Sequence, residues 1–326
     1  MSIKAAALSG VAAGLLALTG ACAQTPLRTD HHVHVHAPEI LDYLPDYCAS
    51  PARLGPCDPS FVHPYTPADL LAEMDEAGID RAFLMSSGYL AESPMMSPPR
   101  PDAAELLHLA NVFTVELAGE HPDRISAFIG LNPLTDTARA ELEFWRGDPR
   151  VAGVKLHLTN SDVDLRDPAQ VARLAGVFAA AAQARMAIMI HMRTRAEDYG
   201  RRDVSIFLEQ VLPHADGVPV IVAHSGGWGG LDDNTWDALE GFAEHRETYA
   251  SANLWFDLAQ VLDLGTPSAD LVRLERLMRK VGVERFVAGS DWPFSGNLRT
   301  YLDKTYGRLD LTPEARDALF TRDILR

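Results

Sequence analysis

Asp30-His31-His32-Val33-His34-Val35-His36 is the stretch on which the reading of the chain turns, because it sets imidazoles two residues apart within a β-branched run. Such a run favours a pleated, extended backbone, so it reads as a strand. Side chains then alternate: Asp30, His32, His34 and His36 share one face, and His31, Val33 and Val35 the other. Two neighbouring imidazoles on an inward face can grip a metal, whereas a His-rich tract on an exposed tail would be a surface scavenger. The remainder of the chain decides between the two.

Beyond this stretch the chain repeats one pattern: a short apolar run, a turn, then a longer amphipathic run. Strand candidates occupy 29–35, 81–86, 125–131, 151–157, 186–191, 218–224, 254–258 and 285–291. Helical periodicity fills 67–77, 103–120, 137–145, 168–184, 204–212, 234–245 and 269–281, with Thr66 and Asp136 as caps. Strands alternating with helices imply a parallel sheet with right-handed crossovers. Eight such units predict an α/β fold, a single (β/α)8 TIM barrel over residues 24–326. Residues 37–64, rich in Pro, Tyr and Asp, are expected to form a long loop after the first strand that walls or covers the pocket.

A chain of 326 residues that is 47% hydrophobic buries a large core. Its formal charge of −16 excludes nucleic acid and anionic membrane surfaces as main partners, since both would repel it. Lys4, the apolar run from Ala5 to Leu18 and the small residues Ala21-Cys22-Ala23 make residues 1–23 read as a signal peptide. That run is short for a membrane span, and no later one is long enough. An exported, periplasmic protein starting near Gln24 is expected, with lipoprotein processing at Cys22 as the alternative. In an oxidising compartment Cys48 and Cys57, which flank a turn-rich segment, are expected to pair as a disulfide.

His191 closes the fifth strand candidate, His224 the sixth and Asp291 the eighth. These are carboxyl ends, where barrels carry their active sites. Together with Asp30-x-His32-x-His34, Gly153-Val154-Lys155-Leu156-His157, Ala223-His224-Ser225-Gly226-Gly227 and Gly289-Ser290-Asp291-Trp292-Pro293, they resemble the amidohydrolase superfamily. The likeness is to its metal-dependent TIM-barrel enzymes related to aminocarboxymuconate-semialdehyde decarboxylase, and it runs from about residue 28 to the end. It implies a divalent metal held by His32, His34, His191 and Asp291, with His224 beside the metal-bound water as a proton-transfer group. Imidazoles plus a carboxylate suit Zn2+, with Mn2+ or Fe2+ as alternatives, and one ion per chain is expected. The catalytic roles fall to His224 and Asp291: Asp291 would take a proton from the water, and His224 would steady the oxyanion or shuttle a proton.

Lys155 shares a face with Gly153 and His157 and points into the barrel, where an isolated ammonium is costly. Three readings stay open: a carboxylated bridge between two metals, a contact to a substrate carboxylate, or a pair with Asp257. His157 is a candidate substrate contact. Arg193, Arg195, Arg201 and Arg202 form a basic loop that would favour an anionic substrate, unless it is simply a solvated loop pairing with Glu197, Asp198 and Asp203. Trp228 and Trp292 either line the pocket or wedge the rim; Arg193 and Trp292 are taken as substrate contacts. The functional expectation is a metal-dependent hydrolase opening a C–N or C–O bond (amide, lactone or ester) of a small, carboxylate-bearing substrate. The alternatives are a non-oxidative decarboxylase of a carboxylated aromatic or unsaturated acid, and an exported metal-binding protein without catalysis. A homodimer is also allowed.

Overall fold

The computed structural model describes residues 26–53 and 55–325, so the signal peptide and Cys22 lie outside the described residues. Eight strands follow the chain around a barrel: β1 (Thr29–Val33), β2 (Arg81–Met85), β3 (Ile125–Leu131), β4 (Val151–His157), β5 (Ala187–His191), β6 (Val220–Val222), β7 (Leu254–Asp257) and β8 (Phe286–Val287). Each pairs in parallel with the next. Backbone bonds close the seam between β8 and β1: His31 N to Ala288 O at 3.0 Å, Asp291 N to His32 O at 2.8 Å and His34 N to Trp292 O at 2.7 Å. The TIM barrel expected from the sequence is thus the observed fold, with helices between the strands.

Alternation along the strands sorts side chains into two cores. Phe83, Met85, Phe128, Ala187, Met189, Ile221 and Val287 fill the barrel interior, and Ile324 closes it from the amino end. Ala82, Leu84, Ile129, Val154, Leu156, Ile188 and Ile190 point outward beneath the helices. Gly153 is required by this interior packing, since a Cβ there would lie 2.4 Å from the Phe128 ring.

The first barrel helix, Pro67–Ala77, has the bounds read from sequence, because its ends are chemically marked. Thr66 Oγ1 accepts the Asp69 N–H while Asp69 accepts the Thr66 N–H, Pro67 takes the first turn, and Gly78 ends the helix at φ 64°. Asp136 makes no such cap and instead meets Arg173 at 3.1 Å.

Residues 37–64 are not one loop. They hold a helix, Pro38–Ala49, and a short turn of helix, Pro59–Val62. Ile40, Tyr43, Leu44 and Tyr47 build a satellite core with Leu90, Met95 and Leu107 beside the barrel mouth. Cys48 and Cys57 are joined, S–S 1.96 Å, at its edge. His36 pins the same segment to the barrel, donating from Nε2 to Phe61 O at 2.9 Å and accepting from Ser87 Oγ at 2.7 Å. Among the described residues no helix is long and apolar enough to cross a membrane.

Candidate metal centre and its pocket

The site begins with an irregularity in β1. Asp30 is in register with Ala82 and Val33 with Leu84, so β1 advances three residues while β2 advances two. This is a β-bulge, and it sets His31 and His32 both opposite the single inward residue Phe83. His31 lies edge-on to Phe83, ring centroids 4.9 Å apart, deep in the barrel, and His32 sits above it at the pocket floor. Strict alternation put His31 on the outer face and Asp30 beside His32; the extra residue reverses both. Asp30 instead ties the seam, accepting from His32 N at 3.1 Å and Ser290 N at 3.0 Å.

Three imidazoles are held in one tautomer by acceptors at Nδ1. His34 Nδ1 donates to Met85 O at 3.1 Å, His224 Nδ1 to Ala259 O at 2.7 Å, and His32 Nδ1 to Asp257 Oδ2 at 2.9 Å. A carbonyl only accepts, so the proton is on Nδ1 and the Nε2 lone pair is bare in the neutral ring. Burial, then Lys155, brings His32 down to about 4, and burial likewise lowers His34. Burial pushes the Asp291 carboxyl up, but His32, His34 and His224 outweigh it and hold Asp291 well below the usual carboxylate range.

His32 Nε2 and His34 Nε2 therefore face the ionised Asp291 Oδ1 at 3.4 and 3.3 Å, acceptor against acceptor. A cation between the partners would relieve such a contact, and the three residues form a cluster with the spacing of metal ligands, although His32 Nε2 also meets the Lys155 ammonium at 2.9 Å. His191 is not in that tight cluster. Its Nε2 is nevertheless buried without a partner, and its ring lies 5.0 Å from that of His224. The donor set of imidazoles and one carboxylate fits a divalent metal. A second grouping, His32, His224 and Asp257, has a different character, because Asp257 already accepts from His32 Nδ1, His224 N at 2.7 Å and Ala259 N at 3.1 Å. Asp257 orients ligands.

His224 and Asp291 do not end strands, as the sequence suggested. They stand just past β6 and β8 at φ 51° and 58°, in left-handed backbone. Such positions cost about 1–3 kcal/mol each and cluster at functional sites. Gly226, at φ 89°, is a turn glycine whose carbonyl accepts from Tyr199 Oη at 2.8 Å.

Lys155 is fully buried, and burial lowers its ammonium to about 8 against the pull of Asp291 and Asp257. Its Nζ lies 2.9 Å from His32 Nε2. Of the three readings open for Lys155, the direct pair with Asp257 is not formed: His32 stands between them, with Nδ1 on Asp257 and Nε2 facing both Lys155 and Asp291.

Above this floor opens a cavity of about 910 Å³. It is lined by the buried Tyr47, Tyr89 and Met95, by His157, Asn160 and the exposed Trp228, with Arg53 beside Tyr47, and by the exposed Asp58 and Asp263 and the half-buried Asp270. Arg193 and Trp292, expected as substrate contacts, do not line it. Arg193 lies over the Tyr199 ring and meets Asp232 at 3.4 Å, while Trp292 is buried against Tyr65. The arginine loop is ion-paired, with Arg195 on Asp162 and Arg201 on Asp237, Glu240 and Glu244. Sequence reasoning passed over Arg53, Tyr47, Tyr89 and Asn160, and saw Asp257 only as a partner for Lys155. Asp257 closes the apolar run Leu254-Trp255-Phe256, the same signal that marked His191.

The amidohydrolase family profile matches residues 29–322. No curated protein sequence matches the chain. Among solved structures, the barrel is similar to 5-carboxyvanillate decarboxylase from Sphingomonas paucimobilis, with 14% identity over 91% of this chain and 97% of that one and a TM-score of 0.64. It is similar to 2,6-dihydroxybenzoate decarboxylase complexed with 2,6-dihydroxybenzoate, at 17% identity, 93% and 98% coverage and a TM-score of 0.61. A third is 5-carboxyvanillate decarboxylase from Novosphingobium aromaticivorans with manganese and 4-hydroxy-3-methoxy-5-nitrobenzoic acid, at 14% identity, 92% and 95% coverage and a TM-score of 0.59. At these identities the likeness is one of fold. These three full-length neighbours are decarboxylases, which corrects the expectation of C–N or C–O hydrolysis toward its decarboxylase alternative. The physical reason is that one His/Asp set holds a cation for either chemistry, so the ligands by themselves never separated the two.

Proposed function

The chain belongs to the amidohydrolase family, and from that premise we propose that it is a metal-dependent, non-oxidative decarboxylase of a small carboxylated aromatic or unsaturated acid. The observation that carries this reading is the end-to-end likeness of its barrel to decarboxylases. The pocket is consistent with a flat, anionic substrate: Tyr47, Tyr89 and Trp228 offer ring faces, and Lys155 and Arg53 offer positive charge.

His32, His34, His191 and Asp291 would hold the ion, which when bound supplies positive charge for the substrate's oxygens and for the negative charge that develops as the carboxylate departs. Loss of carbon dioxide leaves the bonding pair on carbon, and one proton must replace it. His224 is assigned that proton, because its Nδ1 is fixed on Ala259 O and its Nε2 is free to pick one up and hand it on. Asp257 holds both the His224 backbone and the His32 ring, keeping the two at a fixed spacing. Zn2+ and Mn2+ both suit the donor set, and the manganese-bearing neighbour makes Mn2+ the first to supply. We place the reaction outside the cytoplasm, a reading supported by the leader-like residues 1–23 and the bonded Cys48–Cys57 pair.

The test is release of labelled carbon dioxide by the Mn2+-supplied protein from a panel of carboxyl-13C hydroxybenzoates, run in D2O. Release with deuterium at the vacated carbon, abolished in His224→Ala at unchanged metal content, is expected. No release from any member of the panel would overturn the reading.

A further inference from the structure

We infer that the turn after β4 carries a second subsite, in which His157 Nε2–H and Asn160 Nδ2 donate together to an acceptor oxygen of the substrate other than those the metal would hold, in the simplest case a second carboxylate. The Asn160 backbone N–H donates to His157 Nδ1 at 3.3 Å, so that nitrogen carries no proton and the ring proton is on Nε2. Tyr47 Oη donates to Asn160 Oδ1 at 2.5 Å, which leaves the amide NH2 as the free end of that side chain. Both residues line the cavity, and among the described residues neither donor meets a protein acceptor.

The pair is also rigid. Ser161 N donates to His157 O at 3.0 Å, closing a turn that sets residues 157 and 160 side by side. The His157 ring lies flat on His191, centroids 3.9 Å apart at 11°, with the centroid of the near-perpendicular Trp228 ring 6.4 Å away. Arg53, 4.6 Å from the centroid of the Tyr47 ring, adds positive charge to the same wall. Asp58, Asp263 and Asp270, which also line the cavity, offer carboxylates instead and would repel an anion. Two converging donors favour a group that accepts hydrogen bonds, and an analogue lacking it leaves the donors unmet.

This inference rests on the decarboxylase reading only in taking a carboxylated ring as ligand, and its test needs no turnover. Binding of benzoate, phthalate, isophthalate and terephthalate to the purified, Mn2+-supplied full chain is measured by titration calorimetry. At least one dicarboxylate is expected to bind roughly tenfold or more tightly than benzoate. Asn160→Asp keeps an acceptor for Tyr47 but replaces the NH2 by a charged oxygen, and it should bring that ratio to about one. His157→Phe keeps the ring stack and deletes the N–H, with the same expected result. A purely structural role for Asn160 predicts that the advantage survives Asn160→Asp. The inference fails if no dicarboxylate outbinds benzoate, or if the advantage survives either substitution. Either failure leaves the carbon dioxide assay to decide the reaction separately.

Discussion

His34 and His157 stand on the same rim of the barrel, yet they turn opposite chemistry toward the pocket. At the β1 seam His34 gives its Nδ1 proton to the Met85 carbonyl and presents a bare Nε2. At the β4 turn His157 receives an N–H from Asn160 at Nδ1 and presents Nε2–H. One region presents an acceptor nitrogen that suits a cation, and the other a donor that suits an acceptor oxygen. What differs is the backbone atom that meets the first nitrogen, and that atom decides what the second can do.

The largest effect that would break this comparison is at the seam. Asp291→Ala removes the carboxylate that His32 and His34 face, and metal content by elemental analysis should fall by more than about 100-fold in affinity, taking turnover with it. Unchanged metal content would mean the cluster is not a metal site. Asp257→Asn should cost about 10- to 100-fold in metal affinity with the fold intact. Asp257 accepts from three donors, and an amide must turn its NH2 toward one of them. Acid sharpens the contrast from another side. Burial holds His31 down to about 4 and His36 to about 3, whereas unfolded imidazoles take a proton near 6.5. The unfolded chain then binds more protons, so metal-free stability should fall as pH drops from 6.5 toward 4, by up to about 1.4 kcal/mol per pH unit per group. Thermal melts of the chelated protein check the slope, which His36→Gln should flatten; a melting temperature flat across that window would count against these buried neutral rings. Smallest is Arg193→Ala, expected to change KM by less than about twofold because its guanidinium pairs with exposed Asp232 outside the cavity. A large rise in KM would return the arginine loop to the substrate.

The barrel was legible because its signals are local. Short apolar runs gave the eight strands, and helical periodicity with the Thr66 cap marked the first barrel helix to the residue. Placement at carboxyl ends drew His191, His224 and Asp291 to one rim. The bulge was not legible, since register is set by how β1 pairs with β2, and Asp30 to Val33 alone reads as plain alternation. The left-handed backbone at His224 and Asp291 was hidden for a similar reason: the apolar runs continue up to the point where the chain turns. Pro38–Ala49 was read as loop because its own Pro45 and its Tyr and Asp content resemble turns, while packing against Leu90 and Leu107 makes it a helix. Tyr47 and Asn160 meet across 113 positions, a contact no local pattern announces. Hydrolysis and decarboxylation were inseparable from ligands that serve both.

X-ray absorption at the edge of the bound metal examines the central assignment most directly. Scattering from about three imidazoles and a carboxylate oxygen, with no sulfur, is the predicted signature of His32, His34, His191 and Asp291. A sulfur neighbour, or a shell with at most one imidazole, would contradict it.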